Sequence, residues 1–425
     1  MPGNKYFHML RLMRNEKRPL AELRNIQNEK LRRLIDHAYH HVPFYRERFK
    51  KINLHPDDIR TIDDLQKIPV IDKDDFHQSE NSDLIDKKIK NIDQLITLHT
   101  SGSSGKTLHF FADHGYNQIR KAQFLRPYLT NGNGLFDRVL WFRATPRSKQ
   151  PFHERLGFLK TYQLDAGMDP LIQIKSIQTL KPAMMRGYGS TFHLMASKIL
   201  EENISVPPPR IIFTDSELLS TASRRKIEKA FQTRVIDVYG TFETENVAYE
   251  CHKHEGYHMA IDCVIMEFLK EGNPVKPGEV GEIVFTVLDN YTFPFIRYNI
   301  HDLAAYTDRP CSCGRTFPLM KIIAGRMYDY AKKSDGTKIS STPLTSHMWF
   351  LGKYIHEFQV IQEDIDQFSV LIVPTKFYSD KAAKKVEKGI YQNFPEAKIK
   401  IHLVDQIKRE ASGKFIGFKT LLTRP

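Results

Sequence analysis

Residues 95–111 read LITLHTSGSSGKTLHFF, a glycine-rich loop between two short apolar runs. The loop at residues 100–107 combines small side chains, hydroxyl groups and one lysine. Because small residues let backbone N–H groups approach phosphate oxygens and the lysine adds charge, this composition predicts phosphate binding. Two residues separate the glycines, where a P-loop needs four, so a P-loop nucleoside triphosphatase is disfavoured. A flexible surface turn is the alternative interpretation.

The chain on either side of this loop alternates between strand-like and helical patterns. Short apolar runs predict strands at residues 139–142, 211–213 and 235–239. Residues 224–231 place apolar side chains on one helical face, and helical spacing from Leu31 predicts an N-terminal helix that Pro43 interrupts. Further strands are expected at residues 281–288 and 294–298. Such alternation predicts an α/β body.

The pattern changes after Asp329. A hairpin (358–362 with 368–373), a lysine-rich helix (382–391) and a strand (399–404) follow one another. We therefore predict an N-terminal domain of layered sheets and helices over residues 1–328. A small mobile α+β domain is predicted over residues 329–425, with the hinge at Asp329.

Composition limits the classes of protein that fit. The chain has 425 residues, of which 41% are hydrophobic and 27% charged. It contains no run of about 18 apolar residues, so no membrane span is expected. The N-terminal stretch lacks the apolar core of a secretory signal, and we expect a cytoplasmic protein. The net charge of +13 suits anionic partners, but no nucleic-acid-binding fingerprint is present, so specific nucleic-acid binding is not expected.

Short motifs follow one another along the chain. They are the loop at 100–106, TDSE at 214–217, YGTFE at 239–243, RYNIHD at 297–302, GRMYD at 325–329 and KREASGK at 408–414. With the N-terminal segment at 34–46, this series resembles the adenylate-forming enzyme superfamily. Within it, the chain is similar to the phenylacetate–coenzyme A ligase family and its capsular-polysaccharide-biosynthesis relatives, over nearly its whole length.

The resemblance implies a reaction. A carboxylic acid, aryl or arylacetic by family default, would react with ATP to give an acyl-adenylate and then a thioester with coenzyme A. Attack of a carboxylate on a phosphate brings anions together, so Mg²⁺ and a lysine must offset their repulsion. Two alternatives stay open. The acyl group could pass to an amine, a sugar or a carrier protein, or the chain could be a non-catalytic nucleotide-binding relative.

The resemblance also implies residue roles. Lys414 would be the catalytic lysine, Lys106 a second cation at the phosphates, and Glu243 the magnesium ligand. The nucleotide would contact Thr100, Ser101, Gly102, Ser103, Gly105, Glu217, Tyr239, Gly240, Thr241, Asp302 and Arg326. Within this set Tyr239 would stack on adenine and Asp302 would accept hydrogen bonds from ribose.

Two residues depart from the family pattern. Phe242 replaces a small hydroxyl residue, and His301 replaces the glycine before Asp302. The acyl pocket is expected near residues 186–190 and 239–245, although the identity of the acid cannot be deduced from the sequence. The oligomeric state also stays open, with a homodimer as one option because dimers are the commonest homo-oligomers.

The cysteines suggest a metal site. Three thiols and one imidazole suit tetrahedral structural zinc, and related family members have a similar arrangement: Cys251, His258, Cys311 and Cys313. His252 or His254 could take the place of His258. Reduced, packed cysteines or a disulfide are the alternatives. Cys263 lies in a strand-like run and is expected in the core.

Overall fold

A computed structural model describes residues 5–100, 107–144, 146–147, 152–326, 330–409 and 415–422. Contacts divide the chain into two compact units. Unit 1 comprises residues 1–132 and 238–323, and unit 2 comprises residues 133–237 and 324–425. In the described part of the chain, every helix is too short or too polar to cross a bilayer. The expected cytoplasmic location stays a prediction.

The helices and strands are as follows in chain order. The first segment contains α1 (Lys5–Asn15), α2 (Leu20–His41), α3 (Pro43–Lys51), α4 (Lys73–His77), α5 (Asn81–Leu84), β1 (Ile96–His99), β2 (His109–Ala112) and α6 (His114–Thr130). The second contains β3 (Val139–Arg143), α7 (Phe152–Arg155), β4 (Thr161–Asp165), α8 (Pro170–Leu180), β5 (Met184–Tyr188), α9 (Gly189–Glu201), β6 (Ile211–Asp215) and α10 (Thr221–Phe231). β7 (Val235–Thr241) leads back into unit 1.

The remaining elements complete both units. In unit 1 they are β8 (Glu245–Tyr249), β9 (Tyr257–Met259), β10 (Val264–Lys270), β11 (Asn273–Pro274), β12 (Gly281–Val287), β13 (Tyr298–Thr307) and β14 (Leu319–Arg326). In the C-terminal segment they are β15 (Tyr330–Lys332), β16 (Lys338–Ser340), α11 (Thr342–Phe350), β17 (Ile355–Asp364), β18 (Gln367–Pro374), α12 (Asp380–Tyr391), β19 (Lys398–Leu403) and β20 (Phe418–Thr420).

Unit 1 is built on a sheet in the order β11-β10-β12-β13-β14-β9-β8-β7. Its core joins Leu31, Leu34 and Ile35 of α2 to sheet and loop residues such as Phe285 and Phe295. The predicted N-terminal helix is confirmed, and Pro43 begins the next helix, where a missing N–H costs nothing. The expected strand at residues 294–298 is wrong for all but Tyr298, where β13 begins. Arg297 just before it adopts a left-handed conformation, with φ +51°, that a strand does not accommodate.

Unit 2 contains a parallel sheet in the order β6-β5-β3-β4. Leu140, Phe142 and Ile212 of these strands pack with α8, α9 and α10 in one apolar core. The predicted strands at 139–142 and 211–213 and the helix at 224–231 are confirmed.

The C-terminal segment of unit 2 has its own sheet, in the order β19-β18-β17-β20. The predicted hairpin is confirmed, with Phe358 opposite Ile372. This segment also contacts the rest of unit 2: Lys226 Nζ lies 3.2 Å from Gly352 O, and the His193 and Trp349 rings are 4.5 Å apart. The α/β class, with a large sheet-rich N-terminal part and a small α+β C-terminal part, is confirmed. The boundary at Asp329 lies outside the described residues and stays a prediction.

Candidate functional site

A hairpin in unit 1 carries the predicted phosphate loop. β1 and β2 pair antiparallel, with His99 opposite His109. Thr100 is buried, its N–H donates to Leu108 O at 3.0 Å, and its hydroxyl accepts from Leu108 N–H at 3.1 Å. The Thr100 side chain therefore closes the base of the loop. The other loop residues assigned to phosphate lie outside the described residues: Ser101, Gly102, Ser103, Gly105 and Lys106.

The residues predicted to contact adenine and ribose lie next to each other in unit 1. Tyr239 near the end of β7 donates its hydroxyl to Asp302 Oδ2 of β13 at 2.7 Å. His301, which replaces a glycine of the family pattern, has φ +61°. This left-handed conformation favours glycine, and histidine is among the residues that adopt it more readily than most. The backbone shape at this position thus explains the family glycine.

The turn between β7 and β8 carries Glu243. Helix α6 fixes the carbonyl groups of this turn: Arg120 donates to Phe242 O at 2.8 Å and Gln123 to Thr244 O at 2.8 Å. The Glu243 side chain is only 4% exposed. With the residues that the structure describes, its carboxylate makes no hydrogen bond or ion pair. Among the described residues, this turn therefore holds a buried carboxylate that has no cationic partner.

Gly240, near the end of β7, has no room for a side chain. A Cβ there would overlap the carbonyl of Glu245 and lie 3.0 Å from Asn246 Cα, both in the backbone of the same hairpin. We expect Gly240→Ala to lower the free energy of unfolding by about 1–3 kcal/mol, because overpacked backbone must shift. Thermal unfolding measures this loss. Gly167→Ala is the control, since its Cβ would meet only the Asp165 side chain, at 3.4 Å. Equal stability of the two variants would contradict the prediction.

Glu217 in unit 2 binds the chain next to the predicted catalytic lysine. Its carboxylate accepts from Phe415 N–H at 2.7 Å, from Ser190 N–H at 2.9 Å and from the Ser190 hydroxyl at 3.0 Å. Burial raises the pKa of Glu217, and the nearby Arg409 charge opposes that shift. Sequence reasoning placed Glu217 near adenine and missed these contacts.

Arg409 and Phe415 bracket residues 410–414. Arg409 forms an ion pair with Glu357, and its guanidinium carbon lies 4.9 Å from the Phe415 ring centroid. Phe415 also packs against Trp349, with ring centroids 5.5 Å apart. Lys414 itself lies outside the described residues, and Arg326 is the last residue of β14. Their roles stay predictions.

The cysteine and histidine side chains predicted as zinc ligands converge in unit 1. The ligand atoms of Cys251, His258, Cys311 and Cys313 all lie within 4.8 Å of one another. Cys251 Sγ is 3.6 Å from Cys311 Sγ, and Cys313 Sγ is 3.4 Å from His258 Nε2. Tetrahedral zinc with bonds of about 2.0–2.3 Å has ligand–ligand edges of about 3.5–3.8 Å. The two neighbouring distances of 3.4 and 3.6 Å are close to these edges, and the whole set, within 4.8 Å, is somewhat wider than a metal-bound tetrahedron.

Backbone groups orient this cluster. The N–H groups of Lys253 and Arg315 point to Cys251 Sγ and Cys313 Sγ at 3.4 and 3.5 Å. His258 Nδ1 faces Phe317 O at 3.4 Å, which directs Nε2 to the thiols. The structure therefore selects His258 rather than His252 or His254.

Burial affects the charge state of the same groups. It raises the pKa of Cys251 and brings that of Cys311 to about 12, while it lowers the pKa of His258 to about 4. The imidazole is thus neutral, and thiolates here need a cation beside them. All four cysteines are free thiols, and Cys263 is buried outside the cluster, as predicted.

Comparisons with known proteins agree with this architecture. The family model for the CapK C-terminal domain matches residues 332–419. Protein CapK of Staphylococcus aureus is 26% identical over 84% of this chain and 79% of its own length. Phenylacetate-coenzyme A ligase of Thermus thermophilus is 27% identical over 73% of this chain and 72% of its own length. The resemblance drawn from the sequence is confirmed.

Solved structures share the fold. A crystal structure of 2-hydroxyisobutyryl-CoA ligase in the postadenylation state, in complex with 2-HIB-AMP, superposes with a TM-score of 0.79. That alignment covers 95% of this chain and 91% of the ligase, at 19% identity. At this identity the likeness establishes the fold alone.

Proposed function

We propose that this chain joins a carboxylic acid to ATP as an acyl-adenylate and then transfers the acyl group to coenzyme A. The observation that carries the proposal is the hydrogen bond of 2.7 Å from Tyr239 of β7 to Asp302 of β13, together with the buried Glu243 in the turn that follows β7. Unit 1 thus contains groups suited to adenine, ribose and a phosphate-bound cation. The curated relatives named as phenylacetate-coenzyme A ligases support the same reaction.

The reaction has two steps, adenylation of the acid and transfer of the acyl group. A carboxylate oxygen of the acid attacks the α-phosphorus, and the bond to pyrophosphate breaks. Lys106 and Lys414 would offset the negative charge on the transferring group, while Glu243 would hold a magnesium ion that supplies further positive charge there. The coenzyme A sulfur then attacks the acyl carbon, and AMP leaves. Pyrophosphate departs before the thiol reacts, so the half-reactions are separable.

The nucleotide contacts remain those inferred from the motifs. Asp302 accepts from ribose and Tyr239 covers adenine. The wider set comprises Thr100, Ser101, Gly102, Ser103, Gly105, Glu217, Gly240, Thr241 and Arg326. For Glu217 the contacts with Ser190 and Phe415 favour a second role, as the anchor of the segment that follows Lys414.

We also propose that Cys251, His258, Cys311 and Cys313 bind a structural zinc ion. The donor set and its spacing of 3.4–3.6 Å between neighbouring ligand atoms support this. With all positions taken by protein, the ion would brace the loops and take no part in the reaction.

A different acyl acceptor is the second candidate. The family model that matches residues 332–419 is that of CapK, and the C-terminal segment is where the acceptor step is expected to differ. An amine, a sugar or a carrier protein would then replace coenzyme A. The adenylation half-reaction is common to both candidates.

Exchange of labelled pyrophosphate into ATP tests the proposal. A panel of aryl, arylacetic and short aliphatic acids is assayed with the purified protein. We expect at least one acid to support exchange and to give a thioester when coenzyme A is added. Exchange without thioester formation would favour the other acceptors. No exchange with any acid would leave only a nucleotide-binding relative.

A further inference from the structure

Two guanidinium groups flank one indole ring in unit 2. The Cζ atoms of Arg186 and Arg143 lie 4.0 and 4.5 Å from the Trp141 ring centroid. Trp141 and Arg143 are two residues apart on β3 and so share one side of the sheet, and Arg186 is the register partner of Trp141 on β5. Two like charges are therefore held against one aromatic surface.

Only one of these cations is neutralised. Arg186 donates from Nε and Nη2 to Asp215 Oδ2 at 3.1 and 3.0 Å. The Arg143 guanidinium has no hydrogen bond or ion pair with any residue in the described ranges. Its register partner on β4 is Asp165, whose Oδ1 accepts from Gly167 N–H at 2.8 Å. Among the described residues, Arg143 is thus a half-buried cation with no ion pair of its own, and Asp215, the nearby acid that attracts it, is bound to Arg186.

A bound anion would stabilise this arrangement. Burial lowers the pKa of Arg143 and the neighbouring Arg186 charge lowers it further, while Tyr188 and Asp215 oppose the shift in part. A half-buried charge needs a partner, and a like charge beside it adds repulsion. An oxyanion bound at Arg143 would relieve both effects, since a guanidinium binds planar carboxylates and phosphates through paired hydrogen bonds.

The position in the fold favours a ligand. The final residues of three adjacent parallel strands lie at one edge of the sheet: Arg143 of β3, Tyr188 of β5 and Asp215 of β6. Open α/β sheets bind ligands at the carboxyl edge of their strands. The same edge continues into Ser190, which binds the Glu217 carboxylate that also holds Phe415 N–H. Arg143 thus lies on the edge that fixes the segment following Lys414.

From these observations we infer that Arg143 binds a second anionic group on the acid, in addition to the carboxylate that is activated. The substrate class is then a dicarboxylic acid, or a carboxylic acid that carries a sulfonate or phosphate. The Trp141 indole beside the cations offers an apolar surface to the carbon skeleton of such an acid. The inference rests on the proposed function, and it names the substrate of that reaction. A phosphate of coenzyme A is the other source of the same chemistry.

Matched acids test the inference. Pyrophosphate exchange is measured with phenylacetate and with 4-carboxyphenylacetate, in the absence of coenzyme A. We expect a KM at least about tenfold lower for the diacid, and Arg143→Gln should raise that KM by about ten- to a hundredfold, the effect of a lost charged hydrogen bond. KM for phenylacetate and for ATP should stay within about threefold. Arg143→Lys should recover part of the loss, and Arg138→Gln at the opposite end of β3 should have no effect.

Other outcomes are equally decisive. Equal KM values for the two acids, or equal losses for both in Arg143→Gln, would overturn the inference. A rise confined to KM for coenzyme A in thioester formation would assign Arg143 to a coenzyme A phosphate and overturn the substrate class. Calorimetric titration of the diacid into the protein without ATP separates this inference from the proposed function. Binding that Arg143→Gln abolishes, at unchanged melting temperature, would support the anion subsite even if no acid supports exchange.

Discussion

Lys414→Ala is expected to lower the rate of acyl-adenylate formation by about 10²–10³-fold, the usual effect of removing one group that stabilises transition-state charge. Attack of a carboxylate on the α-phosphate concentrates negative charge, and the lysine would offset it. Pyrophosphate exchange at saturating acid measures the loss. The Kd for ATP should change by less than about threefold, because the lysine acts on the transition state rather than on the ground state.

Lys408→Ala is the matched control for this variant, since Lys408 is exposed and six positions earlier in the same motif. A second variant changes Glu217, which anchors the segment that follows Lys414. Glu217→Ala removes the acceptor of Phe415 N–H, observed at 2.7 Å, and should lower exchange by about tenfold or more. Undiminished exchange in Lys414→Ala would exclude the catalytic role of that lysine.

Cys311→Ser is expected to remove the bound zinc and to destabilise unit 1. Even a loss of about 3 kcal/mol would lower the melting temperature by about 6–12 °C in a domain of about 200 residues. The effect should extend beyond the cluster. Arg315, two positions after Cys313, donates to buried Glu16 at 2.8 Å and to Thr130 O at 2.7 Å. If the loop relaxes, the buried Glu16 loses its ion pair with Arg315 and keeps the Tyr249 hydroxyl as a hydrogen-bond donor, and removing one partner of a buried ion pair is costly.

Elemental analysis of the purified protein should give about one zinc per chain for the parent and none for Cys311→Ser. Cys263→Ser is the control, because this buried thiol lies near Arg126, 3.1 Å from Nη2, and outside the cluster. It should retain the metal. A parent protein without zinc, or a Cys311→Ser variant with unchanged zinc content, would refute the structural metal site.

Local pattern predicted much of the fold. Apolar spacing identified α2, the strand cores of β3 and β6, and the β17–β18 hairpin, because side-chain periodicity depends only on neighbours along the chain. The strand predicted from this pattern at residues 294–297 is absent from the structure, where β13 begins at Tyr298. There the buried Arg297, in a left-handed conformation, donates two hydrogen bonds to Glu267, 30 residues away. A contact of that kind overrides local propensity.

By itself the sequence determined the α/β class and the resemblance to adenylate-forming enzymes, and it identified three thiols and a choice of histidines as candidate metal ligands. Residue type and local order suffice for these. Only the tertiary structure decided that His258 completes the cluster, that Glu217 holds Phe415 across 198 positions, and that Arg143 and Arg186 lie against the same indole ring. These contacts depend on strand order and register. Both are determined by the burial of apolar faces against each other, which no local stretch of the sequence specifies.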